Sequence, residues 1–298
     1  PNCPQLVVSY YASLMIGAVV VPCNPAYVAR ELEHQLTDSE SETIITSDAS
    51  YSLVQQIRAE TPIARIYVVK VGSYYPPLLR LFRILSRGRH TVLPKQLRDP
   101  EAHWFRDALG AASARPFKVE VSMDDTAVLM YTGGTTGVPK GAELSHRNIQ
   151  ANAAQMAAHL DCLGRNDDVV LTSLPLFHSY GMTACMNMGI LVGATLVLIR
   201  NARVLVHILK SIKRHRPTLY PGVPALYISL VNHPQVTKYD IRSIRACISG
   251  GAPLPVEVQE RFQEMTGGCL VEGYGLCEAS PVTHASPVLG ENRVGSVG

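Results

Sequence analysis

Apolar residues come in blocks along this chain, and each block changes period where glycine, proline or charge interrupts it. Residues 1–29 carry no Asp, Glu, Lys or Arg. The run from Leu6 to Pro22 is nevertheless too short for a membrane span and is broken by Ser9, Ser13, two tyrosines and the proline. It reads as a buried helix over residues 5–16 and a strand over 18–22. An amphipathic helix follows over 29–37, with Leu32 and Leu36 among charges, then a strand over 43–46. From Asp125 the alternation is regular. Strands are predicted at 126–130, 169–174, 193–199, 218–220, 244–249 and 269–272, and helices at 204–215 and 256–266. Ser145 is placed to N-cap an alanine-rich helix running to His159. Residues 169–199 are again uncharged, but Pro175, His178, Asn187 and Gly193 divide them into strand, loop, helix and strand. Such alternation predicts an α/β fold of layered, mostly parallel sheets flanked by helices. The loops rich in glycine or proline fall at the carboxyl ends of strands, where ligands collect in open sheets.

Composition narrows the picture. A chain of 298 residues that is 47% hydrophobic can bury one large core or two. A net charge of +3 excludes a nucleic-acid footprint over the whole surface. The seven cysteines (3, 23, 162, 185, 247, 269 and 277) are odd in number and contain no Cys-x-x-Cys, which suits reduced thiols in a cytoplasmic enzyme better than disulfides or zinc. No His-Glu-x-x-His occurs among the ten histidines. Pro1 stands where neither an initiator methionine nor a basic leader is seen, so the natural N-terminus is expected upstream. One segment differs in character: residues 74–98 hold Arg80, Arg83, Arg87, Arg89, Lys95 and Arg98 and no acid. Opened by Pro76 and Pro77, it reads as a cationic helix, either a solvated excursion or a peripheral contact with an anionic membrane.

The most specified stretch is Tyr131-Thr132-Gly133-Gly134-Thr135-Thr136-Gly137-Val138-Pro139-Lys140-Gly141. Four glycines let backbone approach a ligand, the threonines and amides supply donors, and Lys140 adds a full charge. Set between the predicted strand at 126–130 and the helix after Ser145, it reads as a phosphate cradle. The Walker spacing fails because Val138 and Pro139 stand where Gly-Lys is required. The dinucleotide spacing Gly-x-Gly-x-x-Gly is absent as well.

The stretch resembles the signature of the adenylate-forming, AMP-binding superfamily. Pro22-Cys23-Asn24-Pro25, Leu174-Pro175-Leu176-Phe177-His178, Ser249-Gly250-Gly251-Ala252-Pro253-Leu254 and Gly273-Tyr274-Gly275-Leu276-Cys277-Glu278 extend the likeness over nearly the whole chain. Among its members the chain looks most like bacterial long-chain fatty-acid–CoA ligases. The resemblance implies activation of a fatty acid by ATP to an acyl-adenylate, then transfer to coenzyme A. It implies that Thr132, Gly133, Gly134, Thr135, Thr136, Gly137 and Lys140 hold phosphates and that Glu278 binds Mg2+. Tyr274 would stack on adenine beside Gly250, Gly251, Ala252, Pro253, Gly273 and Gly275, and His178 would stand near the reacting carboxylate. Tyr180, Gly181, Gly222, Val223 and Pro224 are candidates for the acyl tunnel. Bland readings stand beside these: a helix-start carboxylate for Glu278, a satisfied core histidine for His178, tight turns for the glycines.

Cys277 departs from the family, which has threonine there; a thiol is the poorer hydrogen-bonding group, so a phosphate contact is expected to weaken. On this reading residues 1–298 are an incomplete N-terminal domain, with a first α/β part over 1–120 and a nucleotide- and acyl-binding part over 121–298. A C-terminal domain bearing the adenylation lysine would lie beyond, and the 298 residues alone would be inactive. Activation of an aryl or amino acid, or a nucleotide-binding remnant without turnover, are the alternatives. Acyl length and oligomeric state are not legible.

Overall fold

A computed structural model describes residues 1–75, 97, 99–115, 118–133, 137–160, 167–290, 292–293 and 295–296. Gly134, Thr135 and Thr136, and the arginines of the basic segment at 80, 83, 87, 89 and 98, lie outside the described residues. The fold is α/β, and its contacts divide into two units, Cys3–Glu120 and Val121–Gly298, with Pro1–Asn2 belonging to the second.

The first unit is built on three parallel strands, β1 (Thr43–Ser47), β2 (Arg65–Val69) and β3 (Ala102–Trp104), in that order. β1 alternates exposed and buried side chains, so one face only is covered. Helix α1 (Pro4–Met15) starts on a proline, whose missing N–H is one that a helix start leaves unbonded anyway. Helices α2 (Ala29–Asp38) and α3 (Tyr51–Ile57) turn Leu32, Leu36, Tyr51, Val54 and Ile57 onto Ile66 and Val68, and α4 (Phe105–Ala111) follows β3. The strand expected at 18–22 does not form: only Val20 makes a bridge. Pro22 has no N–H to give a ladder, and its carbonyl is taken by Gln35 Nε2 at 3.0 Å.

The second unit opens with a hairpin that the sequence did not suggest. β4 (Thr126–Thr132) runs antiparallel to β5 (Lys140–Ser145), with Thr132 opposite Lys140. The glycine-threonine loop therefore joins two strands. The expected order of strand, loop and helix is corrected to strand, loop, strand and helix. α5 (His146–Leu160) starts only after β5, and Ser145 caps it as expected. The Asn148 amide donates to Ser145 Oγ at 3.2 Å, while the Ser145 amide donates to Asn148 Oδ1 at 2.9 Å. Here asparagine takes the return role that glutamate fills in the usual capping box. Ser145→Ala should cost about 1 kcal/mol of stability, read by denaturant unfolding at unchanged slope.

The remaining strands form one sheet. β6 (Val169–Thr172) pairs in parallel with β7 (Thr195–Leu198), and Leu219 bridges Val170 on one side and Ala246 on the other. β8 (Ala246–Ser249) continues in parallel to β9 (Cys269–Gly275), and β10 (Val282–Ala285) closes the edge antiparallel. Between β6 and β7 the chain makes a π-helical run, Gly181–Asn187, leading into α6 (Met188–Leu191). All seven π-helical residues are buried, which explains why no amphipathic period marked them. α7 (Leu205–His215), α8 (Pro224–Val231) and α9 (Val256–Thr266) share one core with the sheet through Ile208, Leu209, Ile212, Tyr227, Leu230 and Phe262. α7 keeps Lys210, Lys213 and Arg214 outward, and α9 ends on Gly267 at φ 72°, a left-handed cap.

Candidate active site

Four parallel segments (β6, 219–222, β8 and β9) deliver their carboxyl ends to one side of the sheet, and a cleft of about 900 Å3 opens there. That volume suits a nucleotide-sized ligand. Thr132, Gly133 and Lys140 enter from the hairpin, His178 from the loop after β6, Gly250 and Gly251 from the turn after β8, Gly273, Tyr274 and Gly275 from β9, and Cys277 and Glu278 from the turn after it. Gly137, Ala252 and Pro253 are not among its described lining residues. Sequence reasoning passed over Ser179, Ile248, Leu276, Pro281 and Val282, which also line it; none carries a local signal of its own.

The wall is set by hydrogen bonds to the sheet. Tyr180 donates its hydroxyl to the Ile248 carbonyl at 2.7 Å, and the same oxygen accepts the Gly222 amide at 3.0 Å and the Tyr227 hydroxyl at 3.3 Å. Burial pushes the Tyr180 hydroxyl well above its ordinary pKa, so it stays a neutral donor. Tyr180, named as a tunnel candidate, is thus a fixed panel of the cleft, as are Gly181 and Val223; Gly222 and Pro224 are not among the lining residues.

His178 presents its ring to the cleft. Its Nδ1 accepts the Tyr180 amide at 3.3 Å, which leaves the proton of a neutral imidazole on Nε2. Crowding by the wall lowers its pKa from the usual imidazole value. An NMR titration of His178 should therefore show a midpoint below about 6.5. The unfolded chain takes up this proton first as pH falls, so His178 costs nothing above that pH and destabilises the fold below it. A midpoint at or above the ordinary value would contradict the crowding.

Tyr274 lines the cleft at 47% exposure, with its ring centroid 6.3 Å from that of His284. Glu278 is exposed in a three-residue 3₁₀ turn, Cys277–Ala279, that leads to β10 and not into a helix. Cys277 Sγ lies 3.1 Å from Ser179 Oγ, so the thiol is already engaged inside the protein. Among the described residues no cluster of three or more His, Cys, Asp or Glu could hold a metal alone. A Mg2+ ion fits this donor set nonetheless, since it keeps waters and takes one carboxylate plus substrate phosphates.

The model of the AMP-binding enzyme family matches residues 1–298. The chain is similar to the long-chain-fatty-acid–CoA ligase of Bacillus subtilis (strain 168), at 41% identity over 100% of this chain and 53% of that protein. It is also similar to the long-chain-fatty-acid–CoA ligase of Yersinia pestis, at 34% identity over 100% of this chain and 53% of the relative. Among solved structures, the anthranilate CoA ligase AuaEII in complex with anthranoyl-AMP superposes with TM-score 0.85 at 23% identity, covering 100% of this chain and 52% of that one. A long-chain-fatty-acid-CoA ligase (FadD1) from Archaeoglobus fulgidus gives 0.76 at 26% identity, covering 96% and 53%. The chain thus spans about half the length of the curated relatives it matches. Among the described residues, no helix is long and apolar enough to cross a membrane.

Proposed function

The chain belongs to the AMP-binding enzyme family, and we propose that its protein is an ATP-dependent long-chain fatty-acid–CoA ligase. The observation that carries this reading is the cleft. One lysine-bearing hairpin, one neutral histidine, one exposed aromatic ring and one exposed carboxylate meet at the carboxyl edge of a parallel sheet.

In the first step a carboxylate oxygen bonds to the α-phosphorus of ATP, the bond to the bridging oxygen breaks, and pyrophosphate leaves with the electron pair. In the second, the sulfur of coenzyme A loses its proton to solvent and bonds to the acyl carbon, the bond from that carbon to the phosphate oxygen breaks, and AMP leaves with the electron pair. Anions meet in the first step, so positioning and charge compensation carry it. Lys140, at the head of β5 opposite Thr132, neutralises the outer phosphates, and Thr132 and Gly133 lie beside it. His178 offers Nε2–H to the carboxylate, Tyr274 offers its exposed ring to adenine, and Glu278 would hold a Mg2+ ion, which would supply charge compensation for the phosphates. Gly134, Thr135, Thr136 and Gly137 complete the cradle in this proposal, which also includes a cytoplasmic site of action and peripheral membrane contact through residues 74–98.

The test is carboxylate-dependent exchange of labelled pyrophosphate into ATP by the full gene product carrying these residues. Exchange with palmitate and not with benzoate or amino acids supports the reading. The reverse preference assigns the site to aryl or amino acids, and no exchange with any carboxylate leaves only a nucleotide-binding protein.

A further inference from the structure

Asn2 is 7% exposed, and its amide spans one loop of the second unit. Nδ2 donates to the carbonyls of Thr172 at 3.1 Å and Leu174 at 2.8 Å, and Oδ1 accepts the Leu176 amide at 2.9 Å. Both donor hydrogens and one acceptor lone pair are used. They fall where β6 stops at Thr172 and the chain leaves the sheet. The Thr172 carbonyl also accepts the Ile199 amide at 3.0 Å, so the hold that Asn2 adds falls mainly on Leu174 and Leu176. Asn2 thus extends the ladder by one side chain beyond the end of the strand.

What it holds leads directly to the cleft. The His178 amide donates to the Pro175 carbonyl at 3.1 Å, one residue away from each of the two groups that Asn2 binds at Leu174 and Leu176. The same carbonyl is hemmed in from behind, since a Cβ on Gly181 would come within 2.3 Å of it. Pro175 therefore has little room to move while its neighbours are held, and His178 hangs from it.

We infer that Asn2 is a positioning residue, which fixes the loop 172–176 so that the His178 imidazole enters the cleft at one height and in one tautomer. The inference rests on the reading of His178 as the group facing the carboxylate. Its test uses the full gene product in a double-mutant cycle of Asn2→Ala with His178→Ala. Asn2→Ala should lower the pyrophosphate-exchange kcat about tenfold with the KM for ATP held within about twofold, and should add less than about twofold once His178 is gone. Equal losses in both backgrounds would show a merely structural role and overturn the inference.

A second arm needs no turnover. NMR titration of His178 should show its midpoint rising toward the ordinary imidazole value in Asn2→Ala, because a released ring meets more water. An unchanged midpoint overturns the inference even if activity falls. If the parent shows no exchange, the ligase reading fails and this arm alone decides on Asn2. Should Asn2→Ala not fold, Asn2→Ser and Asn2→Asp carry both comparisons. The aspartate keeps the acceptor and loses the two donors, so it too must shift the titration.

Discussion

Lys140→Ala and Glu278→Ala are each expected to slow adenylate formation by about 10²–10³-fold, with carboxylate affinity unchanged within a few-fold. Both groups are exposed at the mouth of the cleft, one at the head of β5 and one in the turn after β9. The phosphates are charged from the start, and further negative charge builds on the leaving pyrophosphate as its bond to the α-phosphorus breaks. In the roles proposed for them, Lys140 and Glu278 would stabilise that added charge and so act more strongly in the transition state than in the ground state. The magnitude is taken from the loss of one preorganised donor at a developing oxyanion, about 3–4 kcal/mol. Pyrophosphate exchange reports the step without coenzyme A. Near-normal exchange in both variants would reject the assignment of these two side chains.

Gly275→Ala should be the most disruptive single methyl in the site. An added Cβ would sit 2.2 Å from the Pro281 oxygen, 2.9 Å from its carbon and 3.2 Å from the Val282 Cα. All three are backbone, so no rotamer relieves the clash. The same Pro281 carbonyl accepts the Leu276 amide at 2.9 Å, and Gly275 pairs with Val282 in the ladder between β9 and β10. Alanine must part the strands at this point and carry the Glu278 turn with them. Overpacking of this kind costs about 1–3 kcal/mol. In a chain of this size each kcal/mol lowers Tm by roughly 2–4 °C. Exchange activity should fall further than stability alone explains, because misplacement by about 1 Å can cost 10²-fold. Gly110→Ala is the control: nothing lies within 4 Å of its added Cβ, and in α4 alanine should be neutral or stabilising. Equal Tm values for the two variants would show that the β9–β10 junction yields easily.

How much of this was legible depends on whether the determinant is local. α9 runs over 256–266 as its pattern demands, with Phe262 inward and Glu257, Glu260 and Glu264 outward. The cap on α5 was readable because Ser145 acts on an amide three residues away. The cleft loops were readable because glycine and proline at strand ends announce themselves, and a family signature sharpened them. β5 was not, since Lys-Gly-Ala-Glu-Leu-Ser has no alternation and becomes a strand only by pairing with β4. α8, apolar on every side, gave no period to read. Asn2 was invisible for a different reason: its partners lie some 170 residues along the chain, and a lone asparagine in an apolar stretch has no signature.

The Tyr180 panel has an evolutionary consequence. Its hydroxyl is tied to the Ile248 carbonyl, and a Cβ on Gly250 would stand 3.2 Å from the Tyr180 ring. A side chain at position 250 needs the Tyr180 ring to give by a few tenths of an ångström, so the two positions are coupled. Drift toward ligands of another shape is then channelled away from this wall. It has freer passage at Val223 and Leu276, whose side chains line the same cleft, and Leu276 is half exposed. A library that varies Tyr180 and Gly250 jointly would therefore reach cleft shapes that single changes at either position do not.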